Sequence, residues 1–235
     1  VAPFMAALSI LIVCSLVVLS SWSENYGDSK IDVMGGLQNA VLALQNDTRI
    51  PILGFVQSLF EASMYTFVFM WTPVLEDAVN STQSLPFGQI FACFMVAIMI
   101  GSGFFGFLIP RISAEVLAVG NFAIAALSLT VATLFISNPN IVFVCFLMFE
   151  VCCGVYFPCQ GTLRGKYIPE ASRSAIMNFF RIPLNFLVVL VLIKISLFEN
   201  SSVFAILVVW LLSALCCQVM IVKRRSETQK EIVDD

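Results

Sequence analysis

SLFEASMYTFVFMWTP, residues 58–73, is apolar and aromatic almost throughout, yet it places an acidic side chain, Glu61, near its start. Whether that carboxylate is tolerable depends on the solvent around it, and the composition decides this. Hydrophobic residues make up 60% of the 235-residue chain and charged residues 11%. Soluble domains run near ~45–50% and ~25% for the same classes. A soluble fold of this length could not hide so much apolar surface, so the solvent for most of it is lipid. A charged side chain in the middle of residues 58–73 must then face protein or water.

Working outward from that stretch, runs of roughly 20 apolar residues fall at 3–22, 51–75, 87–109, 114–136, 141–162, 175–197 and 202–222. Lipid requires every backbone polar group to be satisfied within its own segment, which predicts helices, an all-α polytopic membrane protein. The longest polar connection, SENYGDSKIDVMGGLQNAVLALQNDTR at 23–49, contains an amphipathic patch from Leu37 to Leu44 expected to lie on the membrane surface. The opening run, VAPFMAALSILIVCSLVVLSSW, lacks a basic n-region and an A-x-A cleavage site. It reads as a membrane helix at the start of a fragment, not as a signal peptide.

Basic residues set the expected orientation. If connections alternate sides, Lys30, Arg49, Arg111, Arg164, Lys166, Arg173, Lys223, Arg224, Arg225 and Lys230 all fall on one side, while Glu76, Asp77 and Glu199 fall on the other. The basic side is expected to be cytoplasmic and to include the C-terminus, with Arg111, Arg164, Lys166 and Arg173 as anchors. The sequons at Asn80 and Asn200 fall on the opposite side and the sequon at Asn46 on the cytoplasmic side.

Two segments repeat a pattern. SLFEASMYTF (58–67) and FLMFEVCCGVYF (146–157) each read Phe-Glu, two small residues, then an aromatic, and each glutamate lies about ten residues into the first helix of a triplet. Inverted triplets are how many secondary transporters are built, with binding near the bilayer midplane.

Three faces carry the candidate chemistry. Gln57, Glu61 and Tyr65 share one helix face at i, i+4, i+8, with Glu61 roughly 15 Å into its helix. That stripe either lines a cavity or makes a structural hydrogen bond between packed helices. Glu150 occupies the same depth, followed by Gly154 and Pro158 on its face. The thin face admits a substrate or a neighbouring helix. Arg181, roughly 9 Å into its helix, is flanked on one face by Asn178 and Asn185. A guanidinium between two carboxamides suits an oxyanion. The alternative is an ion pair with Glu61 or Glu150. Lys194 is expected to snorkel, Trp71 to join an interfacial belt, and the small residues of GSGFFG, Ser102 to Gly106, to support close helix contact.

Other chemistries are excluded or unsupported. The chain has no histidine, which removes imidazole metal sites, Ser-His-Asp triads and His relays. Its eight cysteines lie in apolar runs without ligand spacing and read as small packing residues. Neither the net charge of −3 nor any basic run suggests a nucleic-acid partner. No phosphate loop or nucleophile–base pair marks an enzyme, and no cofactor is expected.

QSLFEASMYTFVFMWTPVLE, the ENYGD after the first span, and GVYFPCQGTLRGKYIPEASRSAIMNFFRIPLN together resemble the molybdate-anion transporter family of the major facilitator superfamily, over most of residues 22–197. The resemblance implies a twelve-helix carrier made of two six-helix halves. It assigns residues 1–22 to the last helix of the first half, 23–50 to a central cytoplasmic loop, 51–222 to the second six-helix bundle and 223–235 to a cytoplasmic tail. A missing N-terminal half would then be the partner of this bundle in the lipid bilayer. It further implies uptake of molybdate or a related oxyanion by alternating access, at the plasma membrane. The resemblance supplies no binding residues, so the roles expected of the residues above rest on physical reasoning. Arg181, Asn178, Asn185, Gln57 and Tyr65 are expected to bind substrate, and Glu61 and Glu150 to provide proton or ion-pair coupling. The rival readings are a carrier of neutral solutes such as sugars and a non-transporting membrane scaffold on a carrier fold.

Overall fold

The computed structural model describes residues 2–23, 33–79 and 85–234. Lys30 and the sequon at Asn80 lie outside the described residues, as do the side chains of Lys194 and Lys230. The helices in chain order are α1 (Ala2–Ser21), α2 (Val33–Asn46), α3 (Arg49–Ala78), α4 (Phe87–Leu108), α5 (Ala114–Leu134), α6 (Pro139–Tyr167), α7 (Arg173–Lys194) and α8 (Asn200–Asp234). Short 3₁₀ turns at Glu170–Ser172 and Ile195–Leu197 flank α7. Seven of these helices, all except α2, carry a span long and apolar enough to cross a membrane. No strand occurs among the described residues.

Two compact units divide the chain, residues 1–35 and 36–235. In the first, α1 is apolar all round. Its few hydroxyls are satisfied within their own helix: Ser9 donates to the Met5 carbonyl at 3.0 Å and Ser15 to that of Leu11 at 2.8 Å. This is how a polar side chain becomes tolerable in a medium with no water to bond.

The second unit is a helical bundle with α3 and α6 at its centre. Helix α3 packs on α6, α7 and α8, α6 packs on α3, α4 and α5, and α5 packs on α8. Exchanging the triplet α3–α4–α5 with α6–α7–α8 maps this set onto itself: α3 with α7 becomes α6 with α4, and α3 with α8 becomes α6 with α5. The two Phe-Glu motifs therefore sit at corresponding places, and they meet. Phe60 and Phe149, each preceding a glutamate, stack with ring centroids 6.2 Å apart. Around them Phe60 stacks on Tyr156 at 4.2 Å and Phe67 meets Phe146 edge-on at 4.9 Å, a dry aromatic core on the bundle axis.

Glycine decides how α4 reaches α6. A Cβ built on Gly101 would lie 2.0 Å from the Val151 carbonyl oxygen, and one on Gly154 would lie 2.1 Å from that of Ile98. The two backbones touch there, a contact open only to residues without a side chain. The close contact expected of Ser102 to Gly106 falls instead on Gly101, just before them, while Gly103 and Gly106 have nothing within 4 Å of a built Cβ, because only Gly101 faces the α6 backbone. Trp71 packs edge-on against Phe87 at 5.9 Å and Phe94 at 5.3 Å, fastening α3 to α4.

Helix starts follow local rules. Asn138 caps α6 by accepting from the backbone N–H groups of Asn140 and Ile141 at 3.2 and 3.3 Å, with Pro139 in the first turn. Before α3, the Asp47 carboxylate accepts from the Arg49 backbone N–H at 2.8 Å and from its guanidinium at 2.8–3.1 Å. Burial alone would raise the Asp47 carboxyl, but these bonds outweigh it and hold the group below its ordinary value. The Leu37–Leu44 patch is helical, as α2, and is not simply laid on a membrane surface. Ala40 is fully buried and Ala43 and Leu44 pack on the core, while Leu37 and Leu42 stay exposed.

At the same end of the bundle, where Arg49 lies 5.0 Å from the Tyr167 ring, a single buried carboxylate ties three helices. Glu115, in the first turn of α5, is 1% exposed. It accepts from Lys166 of α6, from the Tyr167 hydroxyl at 2.7 Å and from Arg225 of α8 at 2.7 Å. Gln218 of α8 adds a bond to the Glu115 carbonyl at 3.1 Å. Asn200, the sequon residue heading α8, donates its side-chain amide to Asp77 at 2.6 Å and so links the far ends of α3 and α8.

Candidate functional site

Helices α3 and α6 run past each other with hydrogen-bonding groups at four-residue spacing on both, side chains except for the Leu53 carbonyl. From α6 come Tyr156, Gln160 and Arg164; from α3 come Leu53, Gln57 and Glu61. The Tyr156 hydroxyl donates to Glu61 Oε1 at 3.0 Å, Gln160 Nε2 to the Leu53 carbonyl at 3.5 Å, and Arg164 Nη1 to Gln57 Oε1 at 3.5 Å. Stacking on Phe60 fixes the Tyr156 ring and aims its hydroxyl. Glu61 itself is half-buried and also bonds to Gln57.

Helix α7 brings the remaining cation. Ser58 of α3 donates to the Phe180 carbonyl at 2.9 Å, and the Phe180 ring lies against Gly54, where a Cβ would come within 2.2 Å of it. This anchors α7 one residue before Arg181. Pro183 follows within the helix and has no N–H to offer the Phe179 carbonyl. Arg181, Asn178 and Asn185 are exposed on the bundle surface at mid-helix, and Tyr65 is 52% exposed. Both Arg181 and Arg164 act electrostatically on Glu61.

The structure thus brings together Gln57 and Glu61, with Arg181 within electrostatic reach. Glu150 stands apart. It is 7% exposed inside α6, its near partner is the Cys153 thiol one turn on, and no cation pairs with it among the described residues. The thin face formed by Gly154 is occupied by α4 rather than open.

Two residues that sequence reasoning left out of the site enter it here. Tyr156 is the aromatic closing the second Phe-Glu motif. Arg164 reads from the sequence as a boundary anchor, because the apolar run stops near 162. Helix α6 continues to Tyr167, which keeps Arg164 on the same face as Tyr156 at i+8. The spacing that exposed Gln57, Glu61 and Tyr65 would have found it.

The charge balance is distinctive. Among the described residues neither Arg164 nor Arg181 forms an ion pair. Two guanidiniums, Arg181 at mid-helix in α7 and Arg164 in the last turn of α6, therefore act on one carboxylate and leave positive charge in excess. Such an excess is expensive in lipid and suits an anion in a watery cleft.

Comparison with known proteins agrees with this architecture. Residues 1–156 match the family described as sugar transporters with 12 transmembrane segments. The molybdate-anion transporter of Takifugu rubripes is 30% identical over 230 residues, covering 83% of this chain and 46% of the relative. Its counterpart in Xenopus laevis is 31% identical over 233 residues, covering 93% and 49%. The chain spans about half the length of these curated relatives. The crystal structure of the Escherichia coli fucose:proton symporter superposes with a TM-score of 0.67 at 12% identity, over 93% of this chain and 54% of that one. At that identity the likeness concerns the fold alone. With seven membrane-crossing helices, a triplet-symmetric bundle and these matches, the chain is not an enzyme but belongs to the twelve-span membrane transporter family of major facilitator type.

Proposed function

We propose that this chain supplies the second half of a secondary carrier for molybdate or a closely related oxyanion, working by alternating access between two helical bundles. The carrying observation is the placing of two guanidiniums by the Glu61 face: Arg164 bonds Gln57, one turn from Glu61, at 3.5 Å, and Arg181 follows Phe180, whose carbonyl accepts from Ser58 of α3 at 2.9 Å. A tetrahedral dianion neutralises two such groups and accepts hydrogen bonds from both. The curated relatives' name, molybdate-anion transporter, supports that substrate class.

In this mechanism Arg181, with Asn178 and Asn185 beside it, meets the anion as it enters from the cleft. Gln57 and Tyr65 complete the donor set on α3. Glu61 holds the guanidiniums in place while the site is empty and yields them when the anion arrives, with Tyr156 keeping the carboxylate oriented. Glu150, buried and with no cation paired to it among the described residues, is a second candidate for proton or ion-pair coupling. The other bundle would come from an N-terminal half, with the basic connections and the C-terminus on the cytoplasmic side of the plasma membrane.

Uptake of labelled molybdate by cells carrying the complete protein tests the reading. Charged hydrogen bonds are worth roughly 1.5–3 kcal/mol, so Arg181→Ala is expected to raise KM by about 10- to 100-fold. Arg181→Lys, which keeps the charge but not the fork, should recover part of the loss. Sulfate and tungstate are expected to compete and hexoses not to. Competition by hexoses alone would favour the neutral-solute reading that the matched family's description suggests. Tyr156→Phe, which removes one hydroxyl and no packing, is expected to lower uptake about tenfold through loss of Glu61 positioning. Unchanged uptake in that variant would reduce the bond to helix packing.

A further inference from the structure

A second concave feature lies away from the charged face. Helices α4 and α5 each pack on α6. Between them is a cavity of about 440 Å³ walled by Leu108, Ile112, Val116, Met148 and Val155, with Gly120 on its floor. A Cβ at Gly120 would meet nothing within 4 Å. The one polar side chain in the wall, Asn121, spends its amide on the Cys152 carbonyl at 3.0 Å, holding α5 to α6. The cavity therefore offers an occupant almost no hydrogen bonding, and that occupant must be apolar.

The α4–α5 connection that supplies part of this wall is not neutral. Leu108 and Ile112 belong to the wall, and Arg111 stands between them in the α4–α5 connection. Its guanidinium is exposed, folded over the Phe107 ring at 4.1 Å with Nη1 donating to the Phe107 carbonyl at 2.5 Å. Among the described residues no carboxylate pairs with it. The neighbouring helix ends add to the positive field: the carboxylate of Glu115 is matched by both Lys166 and Arg225, one cation more than it neutralises. An apolar slot of this size, whose wall runs through Leu108 and Ile112 into a connection carrying an unneutralised guanidinium, has the chemistry of an acyl chain joined to an anionic head group.

We infer that the α4–α5–α6 groove is a binding site for an anionic phospholipid, one acyl chain lying along Gly120 and the head-group phosphate on Arg111. This site is independent of substrate and of the transport reading above.

The test is native mass spectrometry of the complete purified protein in detergent, titrated with phosphatidylglycerol or with phosphatidylcholine of the same chains. The wild type is expected to retain phosphatidylglycerol preferentially. Gly120→Leu fills the groove without meeting a neighbour, and should abolish retention while leaving the thermal melt of the lipid-free protein unchanged. Arg111→Ala should cut the preference for phosphatidylglycerol by about fivefold, and Arg111→Lys should keep it. Equal retention of both lipids by the wild type would overturn the inference, as would undiminished retention in Gly120→Leu. Displacement of the lipid by inorganic phosphate alone would assign the site to the free anion and overturn the acyl-chain component.

Discussion

Replacing Gly154 by leucine is expected to prevent α4 from docking and to leave the protein aggregated or absent from the membrane. The reason lies in what the new side chain would strike. A Cβ there lies 2.1 Å from the Ile98 carbonyl oxygen and 3.0 Å from the Gly101 Cα, and the reciprocal contact from Gly101 is as close. Both obstacles are backbone, so no rotamer change relieves them and the helix axes must separate. Overpacking against movable side chains already costs about 1–3 kcal/mol; moving a helix costs more. No hydrophobic drive within lipid restores the lost contact. Even Gly154→Ala should lower the melting temperature by on the order of 10 °C, at roughly 2–4 °C per kcal/mol for a chain of this size. Gly103→Leu serves as the control, since nothing lies within 4 Å of its Cβ, and is expected to melt like the wild type. Fluorescence-detected size-exclusion chromatography with a thermal ramp reads both outcomes.

The second large effect is expected at Glu115. Converting it to alanine leaves Lys166, Arg225 and the Tyr167 hydroxyl converging on a buried space with no acceptor. Breaking a buried charge cluster by removing one partner typically costs about 3–5 kcal/mol. The two cations are 45% and 36% exposed, so water screens their outer ends and the lower part of that range applies. Glu115→Gln, which keeps an acceptor of the same shape, should cost less. Replacing the cluster with Glu115→Leu, Lys166→Met and Arg225→Met together should restore much of the stability, because the desolvation of all three charges disappears with them. Thermal unfolding of the four proteins in one detergent checks the order. If Glu115→Ala melts with the wild type, the cluster does not hold α5, α6 and α8 together.

The spans were the most legible part of the chain. Lipid thickness fixes how long an apolar run must be, and each predicted run coincides with a helix to within a few residues at its apolar core. Helices outlast those runs because backbone hydrogen bonding continues past the last apolar residue. Helix α6 carries Arg164 to Tyr167 beyond the predicted end, and α8 extends far past 222. That continuation is why Arg164 read as an anchor and why Glu115 drew no attention, since its partners Lys166, Tyr167 and Arg225 all lie past the predicted ends of their runs.

Contacts made by two helices were harder to read from either one. GSGFFG offers three glycines with equal claims, and only the partner surface around Gly154 selects Gly101. Glu61 and Glu150 look alike in sequence, each following a phenylalanine at similar depth. The structure separates them because α3 turns Glu61 toward Tyr156 and the two arginines, whereas Glu150 is closed in beside Cys153. The repeat itself was visible in a handful of residues; its reach to every helix pair emerged only from the packing.

The account rests on the α7 face that carries Asn178, Arg181 and Asn185 lining a water-filled passage. Cysteine accessibility in the complete protein measures this directly. With the native exposed thiols Cys14, Cys93 and Cys216 replaced by serine, Asn178→Cys and Asn185→Cys are each treated with a membrane-impermeant, charged thiol reagent. Both are predicted to react, and added molybdate is predicted to slow the reaction. Failure of both positions to react, in a protein that still folds and reaches the membrane, would put this face against lipid tails and contradict the account.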